Sequence, residues 1–201
     1  MLTENDLITL AQPLPVQQMK ASLRLSFNEL EKDFQDIIDE DFTALILLTP
    51  AVGIALANRE ISFFEELMLN RKARQLSRNS YFIRKDPVVQ AMKYLVVHFV
   101  DWESRFYEVI GVMIEELFIK HQISKEDLEK QHQLDDEELI LANPPLFIKL
   151  LQFLFVEIEE DFFAIRKVSA YEYKKIIEIG KKLKINDLPL FQRFYDTFGV
   201  I

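Results

Sequence analysis

Three carboxylates stand where chemistry could be built. Asp41 lies three residues after Ile38 and four before Leu45, and Asp161 lies three after Ile158 and four before Ile165. Glu103 falls in the same way between Phe99 and Phe106. The octapeptides 38–45 and 158–165 also resemble each other, three acids followed by aromatic-x-Ala-aliphatic. Acids inside apolar seams of three helices could converge on a metal ion or a buried cation. Burying a carboxylate without a partner is too costly, so each needs one. His98, Arg105 and Arg166 are the partners on offer.

His98 sits one turn before Trp102 at the edge of an apolar stripe and reads as the most buried of three histidines. With Asp41, Glu103 and Asp161 it makes a candidate buried polar cluster, and an imidazole there could serve as a general base or a haem ligand. The simpler account is a set of partly wet seam edges with ordinary ion pairs, so no metal is expected. Di-metal carboxylate bundles need two Glu-x-x-His elements. Only Glu129…His132 qualifies, on a short charged segment.

Other catalytic equipment is scarce. The 201 residues contain no Cys, which excludes thiolate catalysis, disulfides and cysteine metal sites within the chain. Four glycines, none clustered, exclude phosphate-cradling loops. No nucleophile-elbow or zincin motif occurs. The expectation is a non-enzymatic protein with no cofactor.

Charge is segregated. The chain carries a net −9, yet Asn70–Lys93 holds seven basic residues against the single acid Asp86, a local +6 that leaves −15 for the remainder. Arg71, Lys72, Arg74, Arg78, Arg84 and Lys85 surround Tyr81 and Phe82 there, an arrangement suited to gripping an anionic protein partner. A second basic stretch, Arg166–Lys184, is separated from it by the acidic Glu126–Glu138. Internal pairing between basic and acidic stretches is the plainer alternative. Nucleic acid is an unexpected partner, because the field of the whole chain opposes a polyanion.

The elements that must position these residues are helical. Apolar residues step by three or four through Met19, Leu23, Phe27, Leu30, Phe34, Ile37, Phe42 and Leu45, which predicts one helix over about 16–48. Thr49-Pro50 is expected to cap and open a short successor. Ser62 and Glu65 form a capping box for a helix carrying Phe63, Phe64, Leu67, Met68 and Leu76. Asp86-Pro87 opens a segment whose apolar seam, Val88 to Leu117, predicts a helix over about 87–120. Its length of about 50 Å exceeds the diameter of about 43 Å expected of a spherical chain this size, hence an elongated shape. Its almost wholly apolar stretch Tyr94–Val100 should be covered on more than one side.

Asn143-Pro144-Pro145 caps a third long helix over about 144–168, Ser169 and Glu172 box another, and Asp187-Pro189 introduces Leu190–Phe198, stopped by Gly199. Sustained two-residue alternation is missing, so the fold class is all-α, an elongated helical bundle with three long helices, in a single domain spanning 1–201. The longest uncharged stretch, Phe42–Ala57, is shorter than the roughly 20 residues a bilayer requires, so no transmembrane segment is expected. Nor does MLTENDLITL have the form of a signal peptide, and a cytoplasmic location follows as the default.

Phe147, Phe153, Phe155, Phe162 and Phe163, from a total of 17 Phe, occupy more than one face of their helix. That surplus fits a homodimer interface or an apolar cavity for a hydrophobic small molecule. The first reading of function is therefore a regulatory or adaptor-like interaction protein that uses the basic segment and an apolar helix face. A Phe-lined ligand-binding domain comes second, and a carboxylate-bundle metalloenzyme third.

Overall fold

Helix starts follow the caps in the sequence. In the computed structural model, which describes residues 2–30, 37–58, 60–76, 86–156 and 161–201, reciprocal capping boxes join Thr3 to Asp6, Ser124 to Asp127, Asp135 to Glu138 and Ser169 to Glu172. Ser62 and Glu65 make the same exchange at 2.6 and 3.2 Å. Asp86 accepts from the amides of Val88 and Val89 ahead of Pro87 at the first helical position. Each such cap satisfies amides that a helix start leaves bare, worth about 1 kcal/mol.

Eleven α-helices result among the described residues: α1 Glu4–Ala11, α2 Leu14–Leu30, α3 Asp39–Ala55, α4 Phe63–Leu76, α5 Pro87–Val97, α6 Phe99–Lys120, α7 Lys125–Lys130, α8 Asp136–Leu141, α9 Pro145–Phe155, α10 Ala170–Lys182 and α11 Pro189–Tyr195. Two three-residue strands, β1 Arg166–Val168 and β2 Phe198–Val200, pair in parallel with Arg166 opposite Phe198. The protein is all-α apart from this pair.

α3 is the axle. Every residue from Asp41 to Pro50 is buried, and the helix touches α1, α4, α5, α6, α9 and α10. The helical run Asp39–Asn58 is long and apolar enough to cross a membrane, yet 78% of its most apolar window is buried among the other helices. Phe27, Phe42, Trp102 and Phe106 knit α2, α3 and α6 together, with Phe27 and Trp102 ring centroids 4.9 Å apart. A second aromatic cluster, Phe155, Phe162, Phe191, Phe194 and Phe198, closes the end near the strands.

The expected 16–48 helix is instead two, α2 and α3. Residues 31–36 lie outside the described residues, while Ile37 and Ile38 are non-helical and Ile38 is extended (φ −71°, ψ 164°). Lys20 reaches Asp39 at 2.5 Å and Thr43 at 3.1 Å. In one straight helix Lys20 and Asp39 would stand about 28 Å apart, so the chain doubles back. Arg24 secures the bend by donating to the Ile37 carbonyl.

Thr49-Pro50 opens nothing: both lie buried within α3, and the Thr49 hydroxyl bonds back to the Leu45 carbonyl. An interior proline costs about 3 kcal/mol, and burial of the whole surrounding stretch offsets it.

In the 87–120 segment all nine seam residues, Val88, Met92, Leu95, Phe99, Trp102, Phe106, Val109, Met113 and Leu117, are buried as their spacing predicts. The single rod, however, is two helices of about 16 and 33 Å, broken at His98 (φ −108°, ψ 27°). Within the stretch expected to be covered on more than one side, Val97 and Val100 beside the break are instead 76% and 83% exposed.

The 144–168 helix ends at Phe155, with Val156 extended. Arg166–Val168 are drawn instead into the pairing with β2, so Gly199 lies in a strand and does not stop a helix. Asn143 is not the cap of α9. Its amide bonds Gln131 Oε1 and the Leu139 carbonyl, and Pro144 takes the cap position. Likewise Leu188, not Asp187, precedes α11.

Candidate functional site

The candidate polar cluster disperses. Asp41 is buried in the first turn of α3. The His98 imidazole is 44% exposed, stacked on Tyr94 at 4.3 Å, with Nδ1 3.6 Å from Asp101. Asp161 is exposed in a turn, where its carboxylate accepts from the Phe163 amide. Glu103 faces α10, with Lys182 at 3.1 Å and Lys175 at 3.6 Å. Among the described residues no three acids or histidines assemble a metal cage, so Asp41, Glu103 and Asp161 do not converge. The seam spacing was correct for Glu103, but two lysines on α10 meet the acid there.

The two cations proposed to balance those acids do other work. Arg166 spends its guanidinium on the carbonyls of Asp161, Phe162 and Ala164 and on the Thr197 hydroxyl, at 2.6–3.3 Å, and lies over the rings of Phe194 and Phe198. It thereby anchors the turn before β1. Arg105 lies over the Trp102 ring.

The Phe surplus is consumed mainly by packing. Phe147 meets Phe118 edge-on at 4.9 Å, and Phe162 lies tilted against Phe194 at 4.8 Å. The pocket beside Phe155, between α3, α4 and α9, has a volume of about 30 Å³, room for a single water. Typical ligand pockets hold 300–1,000 Å³, on the order of ten times more. Two open clefts are larger. One of about 410 Å³ lies between α1, α2 and α3 with Lys20 and Asp39 in its wall, and one of about 290 Å³ lies beside β1.

The basic segment divides. Arg78, Tyr81, Phe82, Arg84 and Lys85 fall outside the described residues. Lys72 is buried on the inner face of α4, where it donates to the Phe153 carbonyl at 2.6 Å and lies over the Phe153 ring, so it is not surface for a partner. Arg71 and Arg74 are exposed on the outer face.

They share that face with unexpected company. Phe63 is 84% exposed, Phe64 56% and Leu67 53%. At about 100° per residue, Phe63, Phe64, Leu67, Arg71 and Arg74 fall within one arc of roughly 100°. Met68, Leu69, Lys72, Ala73 and Leu76 form the opposite, buried face. Glu66, at the edge between the faces, pairs with Lys93 of α5 at 3.1 Å. Along the helix the outer face is apolar for its first turns and basic thereafter. The sequence puts Phe63, Phe64, Leu67, Met68 and Leu76 on one helix without dividing them between its faces. A signal for the division existed: Met68, Leu69, Ala73 and Leu76 already complete one inward stripe, which leaves the earlier three in surplus.

None of the comparisons with protein-family models, curated proteins and solved structures finds a match to this chain.

Proposed function

We propose that this chain acts by binding another protein, as a regulatory or adaptor-like component, through the outer face of α4. The observation that carries this is the row Phe63, Phe64 and Leu67, exposed in line with Arg71 and Arg74. Full burial of such side chains is worth about 1.5–3 kcal/mol each. A contiguous apolar row left in water beside exposed cations is the composition of a docking surface.

The arrangement favours a protein over a bilayer. A helix lying in a membrane interface keeps its cations away from the apolar stripe. Here Arg71 and Arg74 stand inside that stripe, where carboxylates on a partner can meet them.

A photo-crosslinking residue in place of Phe64, in cells that express the chain natively, tests the reading. The expected result is an adduct of discrete mass that disappears when Arg71 and Arg74 are changed to Glu. No adduct, or an adduct indifferent to those changes, overturns it.

A further inference from the structure

We propose that the occupant of the α4 face is the acidic helix α8 of a second copy of this chain; the proposal rests on that face being a docking surface. The complement is present in every copy. Glu137, Glu138 and Leu141 are exposed on α8, Leu141 to 85%, and by helical spacing the two acids flank Leu141 on one side of the helix. Asp136, on another side, is already engaged by Arg193 at 3.3 Å.

The axial order matches when the helices run antiparallel. α4 reads apolar then basic from its N-terminus, and α8 reads acidic then apolar. Leu67 and Arg71 are one turn apart, about 6 Å along the axis, as are Glu137 and Leu141. Leu141 set against Leu67 and Phe63 therefore brings Glu137 level with Arg71.

Among the described residues no internal ion pair competes for Arg71, Arg74 or Glu137, while Glu138 also accepts from the Asp135 amide. The basic and acidic surfaces within one chain are thus left to meet between chains. Contacts of this kind either close into a pair about a twofold axis, each made twice, or propagate. Three apolar side chains and a few surface charges give a small interface, at the weak end of specific association and sensitive to salt.

Sedimentation velocity across the micromolar range tests this with Arg71→Glu and Glu137→Arg, both exposed and outside the capping box that uses Glu138. The wild type is expected to self-associate, as a dimer or a growing series. Each variant alone should weaken association about tenfold or more, and their equimolar mixture should recover it to within about threefold.

A wild type that stays monomeric at low salt overturns the proposal, as does a mixture that restores nothing. Binding of the monomer to phosphatidylserine vesicles without self-association overturns it in favour of a membrane. If the chain is monomeric yet Phe64 still crosslinks to a different protein in an Arg71-dependent way, this inference fails while the docking face stands. If the crosslink is absent as well, both fall.

Discussion

Lys20 and Asp39, nineteen positions apart in the chain, meet with Nζ 2.5 Å from Oδ2, the ammonium almost fully buried and the carboxylate half exposed. The pair holds the α2–α3 reversal. Removing the acid leaves Lys20 sharing its charge with the Thr43 hydroxyl alone among the described residues.

Asp39→Asn is therefore expected to destabilise the protein by about 1–3 kcal/mol, below a fully buried pair because Asp39 is partly wet. The double variant Lys20→Met/Asp39→Asn should recover much of that, since the stranded ammonium is the main cost. Urea denaturation of Asp39→Asn, Lys20→Met and the double variant decides it. A double variant that loses as much as the sum of its parts would show that the pair itself, not the stranded charge, carries the stability.

At Gly53 on α3, two aromatic side chains of α6 come close. A Cβ there would lie 2.7 Å from the Tyr107 hydroxyl and 2.8 Å from Phe99 Cζ. In an open helix Gly→Ala gains about 1 kcal/mol. Here Gly53→Ala should instead lose about 1–3 kcal/mol through overpacking. The Tyr107 hydroxyl is buried and finds no hydrogen-bond partner among the described residues, so Tyr107→Phe should be neutral or stabilising and should relieve part of the Gly53→Ala loss. Thermal melts of the four-member cycle measure the coupling, and strict additivity would count against the contact.

Acid should weaken the fold through Asp6 and Glu178. Burial alone would raise the Asp6 carboxyl, but hydrogen bonds from Thr3 and Lys149 outweigh it and hold the group below the usual 3.8. At Glu178 burial is likewise outweighed, by Lys175 and Lys182, which hold it below 4.5. The unfolded chain thus binds protons that the native state refuses. Stability from both groups is complete above their ordinary values and is lost as pH falls through 4.5 and 3.8 towards the lower native values. Asp6→Asn should lower the melting temperature at neutral pH, with the gap between the two proteins closing as acid protonates the native carboxylate. An undiminished gap in acid would assign the loss to something other than the charge.

How far the sequence is legible depends on the range of the interaction involved. The boxes at Thr3, Ser62, Ser124, Asp135 and Ser169 are readable because cap and capped amide lie three residues apart. The Val88–Leu117 seam is readable because burial on one side repeats with the helix, even through the break at His98. The α2–α3 reversal is not, since Lys20 and Asp39 both suit an uninterrupted helix and only their meeting requires a turn. The polar cluster fails in the same way: periodicity places Glu103 on an inner face but cannot say that Lys175 and Lys182 wait there.

Residue types and their spacing settle that the chain is helical, where most helices begin and that its charge is divided, because each depends on neighbours within a turn or on a plain count. Tertiary structure decides which of two apolar stripes on α4 is covered. Packing against α3 and α5 takes the face with Met68, Leu69, Lys72, Ala73 and Leu76, and leaves Phe63, Phe64 and Leu67 in water beside Arg71 and Arg74. A helix between two neighbours can bury only the side they occupy, and their positions are set by contacts hundreds of atoms away along the chain.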